Sequence, residues 1–334
     1  MYLIKYITGL LLLVSNVGAY VRKGTHIKKS HTKLRTFEFY DNEILSLAET
    51  IKDKSIGFYK LIRPENIVPA TLLSTTGTFI VNPAAIISRQ FLVSASIMLL
   101  IMSNSMIIND IFDIELDKIN NPSRPLITGQ ITKREASVAS IGLFSLSEIL
   151  NLVFMPPHMR WSVHIANLVI ILYTPILKRI PIIKNLVCAQ LISFSTIFAA
   201  NSVGGRINPL IYVLSNIIFL GSLHIEILLD IADAPGDKKN NINTVPTLLG
   251  NEFAWNLVNN ICIFNILSSM LAITWLYNFK CGALMLLLMS PISHNIGIVK
   301  RREYDRTVIK NVANLTIKPL LATLLYICIL SRFI

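Results

Sequence analysis

From residue 60 onward the chain alternates between long apolar runs and short polar breaks. Nine apolar segments stand out, at roughly 61–81, 89–109, 135–155, 161–177, 185–204, 209–229, 254–276, 281–299 and 316–333. The runs are continuously apolar and show no period of two, which predicts helices rather than the strands of a barrel. A helix needs about 20 mostly apolar residues to cross a bilayer. The pattern predicts an all-α, polytopic membrane bundle of about nine transmembrane helices.

The breaks between segments test this reading. The stretches after the second, fourth and sixth segments carry four, three and two Lys/Arg, and the stretch from Lys300 to Lys318 carries six. The intervening stretches carry one each: Arg89, Arg160, Arg206 and Lys280. A count of 15 against 4 is the asymmetry of a membrane protein with one positive face. The breaks after the second and sixth segments share that face.

Composition agrees. Of 334 residues, 53% are apolar and 15% charged, with mean hydropathy +0.58; soluble domains carry about 25% charged residues. Disorder is excluded. The net charge of +12 does not point to nucleic acid, because the bases sit in connectors and in the N-terminal region, where eleven of 31 lie at or before Arg63. The four cysteines form no CxxC pair or Cys/His cluster, and Gly-rich phosphate loops are missing. Residues 1–19 resemble a secretory signal peptide, with an uncleaved membrane helix as the alternative. Residues 20–57 read as a basic and polar tail; its first part, rich in Ser and Thr, is similar to a plastid transit segment.

Acidic residues are scarce, so their positions inform. Eleven Asp/Glu lie between residues 66 and 302, and eight of them fall in two windows. The first is Asn109-Asp110-Ile111-Phe112-Asp113-Ile114-Glu115-Leu116-Asp117. The second runs from Glu226 through Asp230 and Asp233 to Asp237. Each closes an apolar segment on the positive face. On one continuous helix Asp110, Asp113 and Asp117 share a side, with Asn109 at its border. Glu226, Asp230 and Asp233 do likewise, and Pro235-Gly236 is expected to break the helix so that Asp237 comes from a loop. Clustered carboxylates at a membrane edge repel one another and are costly to desolvate. A divalent cation relieves both penalties, and hard oxygen ligands select Mg²⁺ or Ca²⁺ over zinc. Two such clusters can hold a metal-bridged diphosphate between them.

Bases follow each cluster: Arg124 in Asn120-Asn121-Pro122-Ser123-Arg124, Lys178 and Arg179 after Tyr173-Thr174-Pro175, and Lys238-Lys239 after Asp237. Arg124 and Lys178 suit a leaving diphosphate. Lys300, Arg301, Arg302 and Arg306 are read as charges that orient the chain in the membrane. Phe112, Phe194 and Phe198 are read as packing or lipid contacts. His224 and Glu226 are acceptor-side bases in this reading, with His224 also explicable as a polar group within the bundle.

With NDIFDIELD in the second segment and DIADAPGD in the sixth, the chain resembles the UbiA superfamily of intramembrane prenyltransferases. NNPSRPLITG, YTPILKR and NTVPTLLG match the same family's surroundings, and the resemblance covers about residues 58–334. It implies nine helices around a cavity open sideways to lipid, and Mg²⁺-dependent transfer of a prenyl group from a prenyl diphosphate. It implies one Mg²⁺ site at Asn109, Asp110, Asp113 and Asp117, and another at Asp230, Asp233 and Asp237. It places Asp113, Asp230 and Lys178 in catalysis. Arg124, Tyr173, Lys178 and Lys238 contact diphosphate by the same carry-over. Arg63 and Asn66, in KLIRPENIVP, match the lead-in to the first helix, where Asn66 faces the acceptor. Asn240-Asn241 departs from the Gly that many relatives carry there. A hydroxylated aromatic is the family's commonest acceptor and the leading expectation, in quinone- or tocopherol-type biosynthesis. Chlorophyllide or a glycerol-phosphate ether lipid, a terpene cyclase, and, from another class, a cation-coupled transporter are the alternatives.

Overall fold

The computed structural model describes residues 31–204, 208–239 and 242–333, with residues 31–45 and 119–120 in backbone only. The signal-like stretch 1–19, the first part of the basic tail, Arg206 and the Asn240-Asn241 pair lie outside the described residues. The chain divides into two compact units, one ending at Tyr59 and one running from Lys60 to Ile334. The described part of the first unit is a polar helix, α1 (His31–Leu61), whose last two residues belong to the second unit.

The second unit is helical throughout its described residues. Its helices are α2 (Ile67–Val81), α3 (Arg89–Phe112), α4 (Ile114–Asn120), α5 (Lys133–Phe154), α6 (Pro157–Tyr173), α7 (Ile183–Ser202), α8 (Leu210–Lys239), α9 (Val245–Leu249), α10 (Asn251–Leu276), α11 (Phe279–Arg301), α12 (Arg306–Leu315) and α13 (Ile317–Leu330). Seven stretches are long and apolar enough to cross a membrane: α3, α5, α7, α8, α10, α11 and the combined run Arg306–Leu330. All nine expected segments fold as helices, and seven stretches among the described residues meet the length and composition of a membrane span.

Prolines account for much of the difference. Pro64 opens a 3-10 turn after a left-handed Arg63 (φ 50°), so α2 starts at Ile67 and keeps 15 residues. Pro156 and Pro157 set the start of α6, which has 17 residues. At 1.5 Å per residue these helices reach about 22 and 26 Å, short of the ~30 Å hydrocarbon core.

α8 lies at the centre and packs on α7, α10 and α12. Leu214, Ile218, Ile227 and Ile231 of α8 belong to the main buried cluster. A second cluster joins Ile97 and Ile101 of α3, Val163 and Ile170 of α6, and Phe198 of α7. Close helix contacts rely on small residues. A Cβ at Gly77 of α2 would sit 2.3 Å from the Thr196 carbonyl oxygen of α7. Beside it the Thr78 hydroxyl donates to the Ala199 carbonyl at 3.3 Å. Helix starts are capped as their sequences dictate. Thr132 and Glu135 close a capping box on α5, and Ser88 caps α3.

Candidate active site

The first acidic motif straddles a bend. α3 ends at Phe112, Asp113 is the hinge residue (φ −92°, ψ 11°), and α4 begins at Ile114. The backbone ladder still crosses the bend, with Asp113 N–H to Asn109 O at 2.9 Å and Asp117 N–H to Asp113 O at 2.7 Å. The single shared face expected for these acids is therefore corrected. Asp110 and Asp117, seven residues apart, stay on one side, where the Arg124 guanidinium bridges both through Nη1, at 2.8 Å from Asp110 Oδ1. Arg63 Nη2 adds a second bond to Asp110 Oδ1 at 2.7 Å, and the Asn121 amide donates to Asp117 at 3.1 Å. Asp113 points elsewhere and pairs with Lys178, whose Nζ also reaches Asn109 Oδ1 at 3.3 Å. Thr174 donates its hydroxyl to the same Asn109 oxygen at 3.2 Å.

The second motif lies wholly on α8. The expected break at Pro235-Gly236 does not occur: α8 continues to Lys239 with Pro235 inside it. Pro235 withholds one ladder donor, but it lies four positions from the helix end and is exposed, so the chain tolerates it. Asp237 is thus on the helix, two turns beyond Asp230 and on the same side. Asp230 accepts from Lys184 Nζ at 2.6 Å and from the Asn185 amide at 3.0 Å. Asp233, rotated off that side, pairs instead with Arg306 at 2.9 Å. Both motifs therefore follow one rule. The acids at i and i+7 face one way, and the acid at i+3 turns to a base from another element.

The connector between α6 and α7 brings the motifs together. It delivers Lys178 to Asp113 and, at the head of α7, Lys184 to Asp230. Asp237 lies within electrostatic reach of both lysines. One helical turn before Asp230, Glu226 is partly buried and makes no hydrogen bond or ion pair with another described residue. It acts electrostatically on Tyr173 and Cys188. The Cys188 thiol donates to the Tyr173 hydroxyl at 3.1 Å.

The structure thus gathers Arg63, Arg124, Lys178 and the expected acids into two sets linked through the α6–α7 connector, with Asp233 at the margin on Arg306. Tyr173 stands near Glu226 and Asp230 without bonding an acid. Asn66 only precedes α2, and its side chain caps nothing. Lys238 is exposed and pairs with no other described residue. Phe112 is exposed, whereas Phe198 is buried beside Phe194. His224 is buried, donates from Nδ1 to the Leu220 carbonyl at 2.9 Å and leaves Nε2 without a partner. Sequence reasoning missed Lys184 and Asn185 as site residues and treated Arg306 as an orienting charge. The spacing of Lys184 six residues after Lys178 on a short connector was the available signal.

Asp110, Asp113, Asp117, Asp230 and Asp233 are paired with Arg63, Arg124, Lys178, Lys184 and Arg306, whereas Glu226 and Asp237 form no ion pair with another described residue. Among the described residues no three acids, His or Cys converge as a closed metal cage. The donor set is nonetheless all oxygen. Asn185 is 1% exposed, and its Oδ1 has no hydrogen-bond partner. That chemistry fits a hard divalent cation with open positions for a ligand's oxygens.

The family model for UbiA prenyltransferases matches residues 68–315. The chain belongs to the UbiA prenyltransferase family. This membership makes it a prenyltransferase and a multi-pass membrane protein, and sets the transporter alternative aside. The digeranylgeranylglyceryl phosphate synthase of Natronomonas pharaonis is 30% identical over 215 residues, covering 64% of this chain and 76% of that one. The enzyme of the same name from Metallosphaera sedula is 29% identical over 230 residues, covering 68% and 80%. Among solved structures, one described as a digeranylgeranylglyceryl phosphate synthase in membranes superposes with TM-score 0.68 at 23% identity, over 84% of this chain and 99% of that one. A UbiA homologue from Archaeoglobus fulgidus bound to GPP and Mg²⁺ gives TM-score 0.64 at 18% identity, over 83% and 100%. The fold is therefore that of UbiA proteins. The relatives are archaeal and give the plastid expectation no support.

Proposed function

We propose that the protein transfers a prenyl group from a prenyl diphosphate, with Mg²⁺, to a glycerol-phosphate ether lipid. The observation that carries the donor half is the α6–α7 connector, which ties Lys178 to the first acidic motif and Lys184 to the second. Two acidic sets with bases from one connector suit a diphosphate bound between them. The names of the relatives support the acceptor class and favour it over the hydroxylated aromatic expected from the family at large. We read residues 58–334 as the catalytic domain, with α2 and α6 completing nine membrane helices.

Mg²⁺ held by oxygens of Asn109, Asp110, Asp113 and Asp117, and by those of Asp230, Asp233 and Asp237, would supply positive charge to the diphosphate. The chain's own bases do the rest. Arg63, Arg124 and Lys178 turn from carboxylates to phosphate oxygens and stabilise the charge that builds on the leaving group. The C–O bond breaks, and the acceptor hydroxyl oxygen attacks the allylic cation. Glu226, the unpaired carboxylate one turn below Asp230, takes the hydroxyl proton. The surrounding apolar helices keep water from the cation.

The test uses membranes containing the protein, labelled geranylgeranyl diphosphate, and Mg²⁺ or EDTA. The acceptors are geranylgeranylglyceryl phosphate, homogentisate, 4-hydroxybenzoate and chlorophyllide. The expected product forms with the glyceryl phosphate, needs Mg²⁺, and falls about a hundredfold or more in Asp113→Asn and Asp230→Asn. A product with an aromatic acceptor alone would overturn the ether-lipid assignment. Hydrocarbon formed without any acceptor would identify a cyclase instead.

A further inference from the structure

We propose that Lys184 couples metal binding to diphosphate binding, by occupying Asp230 until a diphosphate offers its ammonium another anion, and that Asn185 is an added oxygen donor at the same place. The inference rests on the prenyl-diphosphate reading above and adds two residues to it.

Both oxygens of Asp230 are engaged from the head of α7. Lys184 Nζ holds Oδ1 at 2.6 Å and Asn185 Nδ2 holds Oδ2 at 3.0 Å. The ion pair is largely shielded, with side chains 14% and 12% exposed. A charge-assisted bond in such surroundings is stronger than at the surface. A cation that binds Asp230 must therefore displace the ammonium. Displaced alone, Lys184 becomes a shielded cation beside another cation, which is unfavourable. Displaced towards a diphosphate, it exchanges one anion for another. The penalty on metal binding is thus relieved only when the anion is present, and linkage requires the same factor to appear in the anion's affinity for the metal-loaded protein.

Asn185 differs from Lys184 because it need not leave. Its Nδ2 orients Asp230, while its buried Oδ1 is unpartnered. An unsatisfied buried carbonyl oxygen is unfavourable. A hard cation at Asp230 would satisfy it, and the amide would serve both as a ligand and as the group that holds Asp230 in register.

The experiment uses the full-length protein in nanodiscs, with Mn²⁺ as probe read by electron paramagnetic resonance, and inorganic pyrophosphate as the anion. Titrations without protein correct for the Mn²⁺–pyrophosphate complex. In the wild type, pyrophosphate strengthens Mn²⁺ binding. Lys184→Met, which keeps the stem and removes the charge, should bind Mn²⁺ alone about tenfold more tightly and lose most of the pyrophosphate enhancement. Lys184→Arg should keep the wild-type coupling. Asn185→Leu should weaken Mn²⁺ about tenfold with or without pyrophosphate. Unchanged Mn²⁺ affinity and coupling in Lys184→Met would overturn the proposal while leaving the prenyl-diphosphate reading intact. Asp230→Asn is the separate control: if it binds as many Mn²⁺ as the wild type, the metal reading itself falls and takes the coupling with it.

Discussion

Arg124 bridges two carboxylates, and its removal gives a test of the first acidic motif that needs no substrate. Asp110 and Asp117 have side chains only 3% and 5% exposed. Arg124→Ala does not strand both, because Arg63 still bonds Asp110 at 2.7 Å. Asp117 keeps only the Asn121 amide, at 3.1 Å. Stranding a buried carboxylate costs about 3–5 kcal/mol. Arg124 is itself 23% exposed, so water offsets part of this. A loss of about 3 kcal/mol is expected, or about 6–12 °C in apparent melting temperature at roughly 2–4 °C per kcal/mol for a large domain. Scanning fluorimetry in mild detergent with EDTA measures it. Mg²⁺ should then restore the variant more than the wild type, since a divalent cation replaces the guanidinium. Arg179→Ala removes an exposed cation that pairs with no other described residue, and should leave the melting temperature unchanged. An Arg124→Ala protein that melts with the wild type in EDTA refutes the buried bridge and returns Arg124 to a role in membrane orientation.

Gly77→Ala should destabilise the α2–α7 contact by about 1–3 kcal/mol, because its Cβ would meet the Thr196 carbonyl oxygen at 2.3 Å. Gly142→Ala, with nothing within 4 Å, should be neutral or stabilising by up to about 1 kcal/mol; equal melting of the two variants contradicts the packing argument. Glu226→Gln should keep donor ionisation, read as ¹⁸O scrambling within the prenyl diphosphate, and lose about a hundredfold or more in transfer to acceptor. Loss of both steps would make Glu226 part of the diphosphate site rather than the acceptor base.

The helices were legible because apolar runs and charged breaks leave few other solutions for a chain in lipid. The acidic motifs were legible for a related reason. In a chain this poor in acids, eight carboxylates in two windows have no cheap structural use. What could not be read was the partner of each acid. Lys184 looks like one more positive loop charge until α7 carries it to Asp230, and Arg306 looks like a membrane anchor until α12 brings it to Asp233. These contacts depend on how connectors thread at one end of the bundle, not on spacing along one helix. Local rules also lost to tertiary packing at Pro235, which lies inside α8 where propensity alone would end the helix. The acceptor was illegible for a chemical reason. Both motifs address the diphosphate, which every donor shares, so they carry no information about what receives the prenyl group.

The two motifs nevertheless converge on one geometry from different backbones. One spans a bend at Asp113, the other a continuous helix with a proline in it. In each, the acids at i and i+7 stay aligned, because seven residues make nearly two full turns, and the acid at i+3 lies about 60° away. The aligned acids of the first motif share Arg124, and those of the second share the influence of Lys184. The offset acids, Asp113 and Asp233, take bases from other elements, Lys178 and Arg306. The shared feature is therefore the spacing and not the helix. It aligns two carboxylates and leaves the third to pair with a neighbouring element, the α6–α7 connector at Asp113 and α12 at Asp233. On that argument Asp113, whose pair with Lys178 is partly shielded, carries part of the bundle's stability as well as a share of the site, whereas the exposed Asp233–Arg306 pair contributes little. The bases of the first and last acids, together with Lys178 at Asp113, are the ones a bound diphosphate has to draw away.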